Sequence, residues 1–495
     1  MLKDFDWNQA PHAYVDHKTS ELGETLDKLQ RQAQMLNIPV LIFIDGWESS
    51  GKGQILKDLT RELDPRYVRV EAFERLSDEE KAHPATWRYW NRIPSRQEIA
   101  VFDRSFYYTV MNDIDASPKD LKHQVKDIMA FEQSLIEDNY LIIKFFLNVT
   151  QNEQQKRIEA LENTAKANFL LSETDYHQNK KYKKYRKHFD HILAETHHEV
   201  SPWHIINADD LKLAAKEVLG ITIDQLTHWL GQNKKDDMHK TEETPVISPS
   251  IEKVNLTQLD LNQKLSVDEY DAMKEDLQKQ AAGLLYQAYQ QDIPIILAFE
   301  GVDAAGKGGA IQRLTRMMDP RTYKIFGIKA PTQEELDHHY LWRFQKKFPR
   351  KGMMTIFDRS WYGRVLVERI EGFATQEEWQ RAYQEMNTME EIQVDHGAMV
   401  LKFFLFIDQD EQARRFKDRQ ENPDKNYKIT DEDWRNRDKW SQYIEAFQDM
   451  LTLTDTKKAP WEIIASNDKY WARIEVLKRF NQHLEAHLAK RKDDK

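Results

Sequence analysis

The sequence predicts an α/β protein made of two tandem domains, each a three-layer α/β/α arrangement around a parallel central sheet. Three observations support this prediction: the length of 495 residues, a long internal repeat, and short apolar runs separated by helical segments. A chain of this length exceeds one comfortable hydrophobic core and divides into two or three domains of ordinary size. Continuous apolar strands between helices are typical of parallel sheets that are covered on both faces.

The composition excludes several classes of protein. Hydrophobic residues make up 40%, the net charge is −11, and cysteine is absent. Without cysteine there are no disulfides, thiolate zinc sites or cysteine nucleophiles, so any metal must be bound by oxygen or imidazole. The acidic balance argues against a protein that coats nucleic acid. Because no apolar run approaches the ~20 residues of a membrane span and residues 1–16 lack a signal-peptide core, we expect a cytoplasmic protein without a membrane partner.

The chain repeats itself with a long period. The segment IPVLIFIDG at residues 38–46 returns as IPIILAFEG at residues 293–301, an offset of 255. Further matched pairs keep the register, at an offset of 255 and later 258: residues 64–66 with 319–321, 102–105 with 357–360, 144–147 with 402–405, and 202–203 with 460–461. Solenoid repeats run only about 20–50 residues, so this period predicts two duplicated domains. We expect an N-terminal domain at 1–232, a polar linker at 233–262 and a C-terminal domain at 263–495.

Each copy presents the same order of predicted elements. In the C-terminal copy a helix at 268–289 leads into an apolar strand at 293–299, which is followed by a glycine-rich turn and a further helix. A second apolar run ends at Phe357, and a third at 400–406 precedes a long charged helical segment. Ligands of such sheets bind at the carboxyl ends of the strands, so the predicted site lies there.

The glycine-rich turn has the sequence GVDAAGKGG at residues 301–309. It matches the pattern G-x-x-x-x-G-K in the strand–turn–helix context of a P-loop, which predicts a P-loop kinase-like fold. Glycines let successive N–H groups point inward, and the following helix N-terminus adds positive potential for phosphate. The alternative is a tight turn that binds nothing. The predicted phosphate-binding residues are Gly301, Ala304, Ala305, Gly306, Gly308 and Gly309, with Lys307 as a mobile charge.

The predicted catalytic residues include two carboxylates. Gly308 replaces the hydroxyl residue that normally follows the P-loop lysine and binds magnesium, which disfavours an ordinary ATPase or GTPase. Metal ligation then falls to Asp303 in the loop and Asp358 at the end of a neighbouring strand, although Asp358 could also cap a helix. Mg²⁺ commonly uses one or two protein carboxylates together with water and phosphate. Lys307, Arg359 and Arg364 complete the set, because arginine suits bidentate phosphate contacts; surface charge is the alternative for both arginines.

Three motifs of the C-terminal copy resemble those of the polyphosphate kinase 2 family: the GVDAAGKGG loop, FDRSWYGR at 357–364 and Ala-Pro-Trp at 459–461. The fused two-copy layout is similar to the subgroup in which polyphosphate phosphorylates AMP, and the resemblance covers both halves. It implies Mg²⁺-dependent transfer of the terminal phosphoryl group of inorganic polyphosphate to AMP, giving ADP. It also implies a basic polyphosphate channel, for which the candidates are Lys329, Lys346, Lys347, Arg350 and Lys351.

The resemblance further implies a helical lid that closes over donor and acceptor, and the matching segment is 411–439. Acidic residues nearly balance the basic ones there, so a solvated helix is the alternative for any single position. The candidate nucleotide-binding cations of the lid are Arg414, Arg415, Arg419, Lys428, Arg435 and Arg437.

The N-terminal copy lacks several of these groups. Asp303 corresponds to Glu48, which is one methylene longer, and Arg364 corresponds to Thr109. In the lid, Leu161, Leu170 and Asn179 stand in place of Arg419, Lys428 and Arg437. Loss of charges that compensate a phosphoryl transition state costs orders of magnitude in rate. We therefore expect catalysis in the C-terminal copy, with the N-terminal copy as a structural or polyphosphate-holding partner.

Other functions stay open at this point. The same loop could serve an ATP-dependent nucleotide kinase, or an enzyme that uses polyphosphate to convert ADP to ATP. A catalytically inactive polyphosphate-binding scaffold is an alternative from a different class. The acceptor base and the oligomeric state are also open, although duplicated domains often mimic an ancestral homodimer contact.

Overall fold

The structure is a computed structural model that describes residues 1–7, 14–73, 76–164, 171–236, 253–422 and 431–493. These residues divide into two compact units. Unit 1 takes the described residues within Met1–Leu76, Arg88–Glu242 and Gln333–His339, and unit 2 those within Ser77–Trp87, Glu243–Thr332 and Tyr340–Lys495. Each unit thus includes a short segment from the other half of the sequence, which the repeat did not predict. Most of the predicted linker lies outside the described residues, and the domain boundaries stay a prediction.

Each unit contains a five-stranded parallel sheet, which confirms the predicted α/β class. The strands are β1 (Val40–Gly46), β2 (Val68–Ala72), β3 (Ile99–Asp103), β4 (Leu141–Asn148) and β5 (Trp203–Asn207) in unit 1, and β6 (Ile295–Gly301), β7 (Tyr323–Gly327), β8 (Met354–Asp358), β9 (Met399–Phe406) and β10 (Trp461–Ala465) in unit 2. The strand order is β2-β3-β1-β4-β5 in unit 1 and, equivalently, β7-β8-β6-β9-β10 in unit 2.

Twenty helices connect and cover the strands of the described residues, and side-chain caps begin several of them. Ser266 accepts a hydrogen bond from the Glu269 amide, and the Glu269 side chain accepts one from the Ser266 amide in return. In chain order the helices are α1 (Thr19–Met35), α2 (Lys52–Thr60), α3 (Asp78–Lys81), α4 (Trp87–Trp90), α5 (Tyr107–Asn112), α6 (Pro118–Glu137), α7 (Gln151–Glu162), α8 (Glu173–Lys180), α9 (Tyr182–Glu195), α10 (Leu211–Asp236), α11 (Val267–Gln290), α12 (Lys307–Leu314), α13 (Gln333–Leu336), α14 (Trp342–Gln345), α15 (Val367–Ile370), α16 (Gln376–Asp395), α17 (Gln409–Glu421), α18 (Asp431–Asp438), α19 (Trp440–Thr454) and α20 (Lys469–Asp493). Short 3₁₀ segments cover Leu256–Gln258 and Trp361–Val365.

Helices cover both faces of the unit 1 sheet. Successive residues of β1 point to opposite faces, so Ile42 joins an aliphatic cluster beneath α1, α2 and α10. On the other face Phe43 packs against Phe102 and Phe106, and Phe106 contacts Phe131 of α6. Burial of each such side chain contributes about 1.5–3 kcal/mol. The sheet between these two helical layers forms the predicted three-layer arrangement.

The strand order of unit 2 determines where its P-loop emerges. The central strand β6 has β8 on one side and β9 on the other. In this register Phe299 lies opposite Asp358 and also opposite Phe403. The P-loop therefore leaves the sheet at the same edge as Asp358, which is where open parallel sheets bind their ligands. None of the helices in the described residues is both long and apolar enough to cross a membrane.

Candidate active site

The turn after β6 depends on two glycines. Gly301 has a φ of +136°, and a Cβ on it would lie 2.1 Å from the Leu405 carbonyl oxygen, so no side chain fits there. Gly306 has a φ of +107° and begins α12. The Lys307 Nζ donates to the Gly301 carbonyl at 2.6 Å, so the ammonium group bends back over the loop. The local chain is thus a P-loop turn with its lysine at the mouth.

The Asp303 carboxylate is oriented by two neighbours. Arg359 Nη2 donates to its Oδ1 at 3.1 Å, and Asn436 Nδ2 donates to its Oδ2 at 2.8 Å. The Tyr443 hydroxyl donates to Asn436 Oδ1 at 3.0 Å, and Gln412 donates to the Asp303 carbonyl at 3.3 Å. A carboxylate has about four acceptor positions, so Asp303 retains lone pairs for a cation.

The turn after β8 places Arg359 beside the loop. Arg359 has a φ of +63°, a left-handed conformation that costs about 1 kcal/mol outside glycine. Ser360 secures the turn, because its amide and hydroxyl donate to buried Glu300 at 2.7 and 2.8 Å. Burial raises the pKa of Glu300, although the positive charges of Lys307 and Arg359 oppose this. The strained backbone thus directs the arginine towards Asp303.

Arg415 braces the P-loop from below. Its Nη1 donates to the carbonyls of Ala304 and Ala305 at 2.9 and 3.0 Å, and its Nη2 donates to those of Ser466 and Asn467 at 2.6 and 2.9 Å. Only 3% of the residue is exposed, and burial lowers the pKa of Arg415 although Glu411 opposes this effect. Because four backbone carbonyls and Glu411 accept hydrogen bonds from this buried guanidinium, we assign Arg415 a positioning role.

A wide cleft lies over this loop and encloses about 1740 Å³ when measured to its open mouth. Burial and the nearby charges of Arg415 and Arg414 lower the pKa of Lys469 within it. Nearby cations destabilise the charged form of this lysine, and a bound anion would stabilise that charged form. The charged residues that line the cleft are six cations, Lys307, Arg359, Arg415, Arg419, Lys469 and Arg473, and three carboxylates, Asp303, Asp358 and Asp418.

The structure brings half of the predicted residues to this cleft, while Gly301 borders the adjoining cavity. A Cβ on Gly308 would lie 3.7 Å from Asp358 Oδ2, so Asp358 and the start of α12 face the same space. The predicted residues that line the cleft are Asp303, Ala304, Ala305, Gly306, Lys307, Gly308, Gly309, Asp358, Arg359, Arg415 and Arg419.

Arg364 takes a different position. Its Nη1 lies 2.9 Å from Glu368, its Nη2 lies 3.6 Å from Glu378, and its guanidinium stacks over Tyr340. Burial lowers the pKa of Arg364, but the two glutamates more than offset this, so the net shift is upward. The residues that line the cleft do not include it. Its charge is used within the fold, and its replacement by Thr109 in unit 1 does not remove a cation from the P-loop.

The predicted channel lysines also lie apart from the cleft. Lys346, Lys347 and Arg350 border a second cavity of unit 2 instead, where Lys347 donates to the Arg343 carbonyl at 2.6 Å. Lys329 and Lys351 are exposed and are not among the residues that line the P-loop cleft. A basic polyphosphate channel along these residues therefore stays a prediction.

Arg415 and Arg419 line the cleft, but the other predicted lid cations of the described residues do not. Arg414 is 55% exposed and pairs with Glu411 and Asp418, and Arg435 is exposed. Lys428 lies outside the described residues. Arg437 Nη1 donates to the Gln409 carbonyl and to Gln412 Oε1, at 2.7 and 3.1 Å.

The counterpart of Arg437 preserves the same contacts. Asn179 Nδ2 donates to the Gln151 carbonyl at 2.9 Å and to Gln154 Oε1 at 3.1 Å. These acceptors correspond in register to those of Arg437. The exchange of arginine for asparagine therefore keeps a helix-to-helix link and does not by itself indicate a lost phosphate contact.

Sequence reasoning missed two cations of the cleft, Lys469 and Arg473. Their counterparts in unit 1 are Leu211 and Ala215. A Cβ on Gly51 would lie 2.4 Å from Leu211 Cδ2, so leucine covers the N-terminal loop where unit 2 presents a lysine. The aligned copies could have revealed both cations, because at these positions the C-terminal copy is charged and the N-terminal copy is apolar.

The N-terminal loop neutralises its own lysine. Glu48 Oε2 lies 3.3 Å from Lys52 Nζ and 3.1 Å from Arg104 Nη2, and the Tyr108 hydroxyl donates to Glu48 Oε1 at 2.9 Å. Burial alone would raise the pKa of Glu48, but Lys52 and Arg104 lower it to about 2. A carboxylate that is ionised at neutral pH thus lies against the P-loop lysine.

The oxygen ligands of the unit 2 cleft suit a hard divalent cation. In the part of the chain that the structure describes, no three histidine, aspartate or glutamate side chains converge as a preformed metal site. Asp303 and Asp358 both border the cleft. Mg²⁺ commonly binds one or two protein carboxylates and takes phosphate oxygens and water as its other ligands.

The chain is similar throughout its length to known proteins. The model of the family described as polyphosphate kinase 2 matches residues 11–235 and 264–492. A polyphosphate:AMP phosphotransferase of Pseudomonas aeruginosa is 39% identical over 95% of this chain and 96% of its own, and one of Pseudomonas syringae pv. tomato is 37% identical over 92% and 91%. The crystal structure of a Pseudomonas aeruginosa PA01 chain described as a polyphosphate kinase 2 superposes with a TM-score of 0.83 at 36% identity, covering 95% of this chain and 96% of that one. The chain therefore belongs to the polyphosphate kinase 2 family.

Proposed function

We propose that this chain transfers the terminal phosphoryl group of inorganic polyphosphate to AMP, producing ADP, at the P-loop of unit 2. The observation that carries the proposal is the cleft over that loop, which is lined by six cations and three carboxylates. Such a cleft suits a polyanion better than a single phosphate. The relatives named polyphosphate:AMP phosphotransferase, similar along almost the whole chain, support the same donor and acceptor.

The reaction needs alignment and charge neutralisation more than it needs a base. The second pKa of a phosphate monoester is near 6, so the attacking AMP oxygen is already ionised at neutral pH. That oxygen forms a bond to the terminal phosphorus, the bond from this phosphorus to the bridging oxygen breaks, and the shortened polyphosphate leaves with the electron pair. Lys307 and Arg359 neutralise charge that develops on the transferred group.

Asp303 and Asp358 are the proposed ligands of Mg²⁺. Bound there, the ion would neutralise phosphate oxygens and help to hold the donor in line. Arg359 and Asn436 keep the Asp303 carboxylate oriented for this role, and Arg415 holds the loop that carries it. The oriented carboxylate supports positioning rather than proton abstraction.

Unit 1 is proposed to have no turnover of its own. Its lysine is paired with Glu48, and leucine and alanine take the places of two cleft cations. Weak anion binding by this unit, for which Lys52, Asp103 and Arg104 are present, a homo-oligomeric state and a cytoplasmic location stay predictions from the sequence.

A matrix of donors and acceptors tests the proposal. Purified protein with Mg²⁺ is given polyphosphate or ATP as donor and AMP or ADP as acceptor, and nucleotides are separated by chromatography. We expect formation of ADP from polyphosphate and AMP to be the fastest reaction. Lys307→Met serves as the matched inactive control. Faster phosphorylation of AMP from ATP would favour a nucleotide kinase, faster ATP formation from ADP would favour a diphosphate acceptor, and no product from any pair would favour a scaffold.

A further inference from the structure

A further groove of unit 2 adjoins the P-loop cleft at Arg473, which lines both spaces. It encloses about 1270 Å³ when measured to its open mouth, and residues of α11, of α12 and its C-terminal turn, and of the start of α20 line it. The charged residues that line it are Lys274, Arg313, Arg316 and Arg473, together with Asp271 and Glu275. We call this space the arginine groove.

The carboxylates of the arginine groove are already neutralised by lysines. Lys274 Nζ lies 2.7 Å from Asp271 Oδ1, and Lys279 Nζ lies 2.8 Å from Glu275 Oε1. Within the part of the chain that the structure describes, no carboxylate forms an ion pair with any of the three arginines of the groove. The groove therefore has an excess of positive charge, which attracts an anion.

Two of the arginines connect the groove to the P-loop. Arg313 Nη1 lies 3.5 Å from the Gly309 carbonyl oxygen, and a Cβ on Gly309 would lie 3.7 Å from Arg473 Nη2. Gly309 itself lines the P-loop cleft. Because an α-helix rises about 1.5 Å per residue, Arg313 lies about 9 Å farther along α12 than Lys307. Positive charge thus continues from the cleft along this helix.

The equivalent surface of unit 1 has no such excess. Asp58 and Ala215 stand in the places of Arg313 and Arg473. Arg61, the counterpart of the third arginine, pairs with Asp58 at 2.6 Å. Over all the positions aligned with the groove, acidic and basic residues of unit 1 are equal in number. The excess charge is therefore confined to the unit in which we propose that turnover takes place.

We infer that the arginine groove binds the part of the polyphosphate donor that trails behind its reacting end. The inference rests on the proposed function and adds a second contact surface for the same substrate. With the terminal phosphoryl group at Lys307, the chain continues past Gly309 and Arg473 into the groove. Each internal phosphoryl unit carries a negative charge, and arginine binds phosphate oxygens in a bidentate manner.

This arrangement gives the enzyme a preference for long donors. Tripolyphosphate has only three phosphoryl groups, so a chain bound at the P-loop leaves few or none for the groove. A long chain occupies both spaces and gains the additional contacts. Because the groove continues directly from the cleft, its position favours the donor's own chain over a separate polyanion such as a single-stranded nucleic acid.

The test compares a long donor with a short one. Arg313→Asp reproduces the unit 1 residue and gives Arg316 an internal partner, and the double variant Arg313→Gln/Arg316→Gln removes both charges. For each we expect the KM for size-fractionated long-chain polyphosphate to rise about tenfold, while the KM for tripolyphosphate and kcat with either donor stay within about twofold of wild type. The control Lys458→Gln/Arg479→Gln removes two cations that have carboxylate partners elsewhere on unit 2, and it should change neither KM.

The salt dependence of binding supplies a second measurement. Equilibrium dialysis of long-chain polyphosphate without AMP should show the slope of log affinity against log salt concentration falling by about 1 for each arginine removed. Equal rises of KM for both donors, or no rise for either, overturn the inference. Arginine-dependent binding of a single-stranded oligonucleotide, with polyphosphate binding unchanged, also overturns it.

Failure of the proposed function gives a different result. If the wild type forms no ADP from any donor, the proposed function fails, and dialysis of long-chain polyphosphate and tripolyphosphate against the same variants still decides whether the groove binds the longer chain. Circular dichroism checks that each variant is folded.

Discussion

Glu48 in the N-terminal P-loop and Lys52, the first residue of α2, form a buried salt bridge, with 3.3 Å between Oε2 and Nζ. At the aligned C-terminal positions the Asp303 carboxylate is bonded to Arg359 and Asn436, and Lys307 bends onto a loop carbonyl. Glu48 is one methylene longer than Asp303, and its carboxylate contacts the lysine. One glycine-rich pattern therefore produces an accessible cation in unit 2 and a closed ion pair in unit 1.

Separate substitution of the two P-loop lysines should have unequal effects. Lys307→Met removes a charge that neutralises the transferred phosphoryl group, so we expect kcat to fall by about 10³-fold. Lys52→Met removes a lysine that already has an internal partner, and kcat should stay within about threefold of wild type. Steady-state ADP formation from polyphosphate and AMP measures both. Equal losses would contradict the assignment of turnover to unit 2.

Removal of the internal carboxylate should turn the N-terminal loop into an anion site. In a Lys307→Met background, Glu48→Gln removes the carboxylate that is bonded to Lys52 and Arg104, so the remaining positive charge favours a bound anion. Tripolyphosphate should then raise the Tm by several degrees more than it does in Lys307→Met alone. The control adds Lys52→Met to the same chain and should lose that gain. No difference between the three chains would mean that Leu211 closes the loop independently of Glu48.

The same carboxylate predicts a pH dependence of stability. Its pKa of about 2 is below the ordinary value of 4.5, so its contribution is fully present above pH 4.5 and is lost as the pH falls towards 2. The difference corresponds to about 3 kcal/mol. Urea unfolding of wild type and Glu48→Gln should show a gap in the free energy of unfolding that is constant from pH 7 to 5 and narrows by pH 3.5. A gap that does not change with pH would indicate that packing, not charge, makes Glu48 important.

Much of the fold could be predicted from the sequence because the two repeated domains can be aligned with each other. The repeat predicted two domains with the same order of elements. The predicted first C-terminal strand differs from β6 by only two residues, since the extended pairing begins after Pro294. The P-loop and the strand-end Asp358 meet because the central strand β6 lies beside β8. Hydrophobic pattern and parallel-sheet geometry are sufficient for these features.

The sequence predicted the directions of individual side chains less well. Helix α17 carries charges on nearly every face, so its sequence cannot tell that Arg415 points at loop carbonyls while Arg414 points to solvent. The pairing of Arg364 with Glu368, four residues ahead, was a visible helical spacing that the phosphate hypothesis overlooked. The stacking of Trp47 on Tyr182 joins residues far apart in the chain, and only the fold reveals it.

Loss of the proposed metal ligand Asp358 should raise the Mg²⁺ concentration that the reaction requires. Asp358→Asn keeps the shape of the side chain and removes its charge, so we expect the Mg²⁺ concentration for half-maximal rate to rise about tenfold. Excess EDTA should abolish turnover of the wild type, and added Mg²⁺ should restore it. Asp418→Asn is the matched control, because Asp418 borders the cleft but pairs with Arg414. An unchanged Mg²⁺ requirement in Asp358→Asn would assign the metal to other oxygens.

The adjacent arginines of α17 allow a test of the loop brace. Arg415→Met removes a buried donor from four carbonyls and from Glu411, of which the Ala305 carbonyl keeps the Ser466 hydroxyl and Glu411 keeps Arg414, so we expect the free energy of unfolding to fall by about 3–5 kcal/mol. We also expect kcat to fall by about 10²-fold, because a displacement of about 1 Å in the P-loop misaligns the donor. Arg414→Met removes the same charge from an exposed pair and should cost less than about 1 kcal/mol with kcat nearly unchanged. Urea unfolding and steady-state kinetics on the two variants measure both quantities. Arg415→Lys keeps the charge but cannot span the four carbonyls, so it should resemble Arg415→Met in kcat; full activity there would show that charge, not geometry, is what Arg415 supplies.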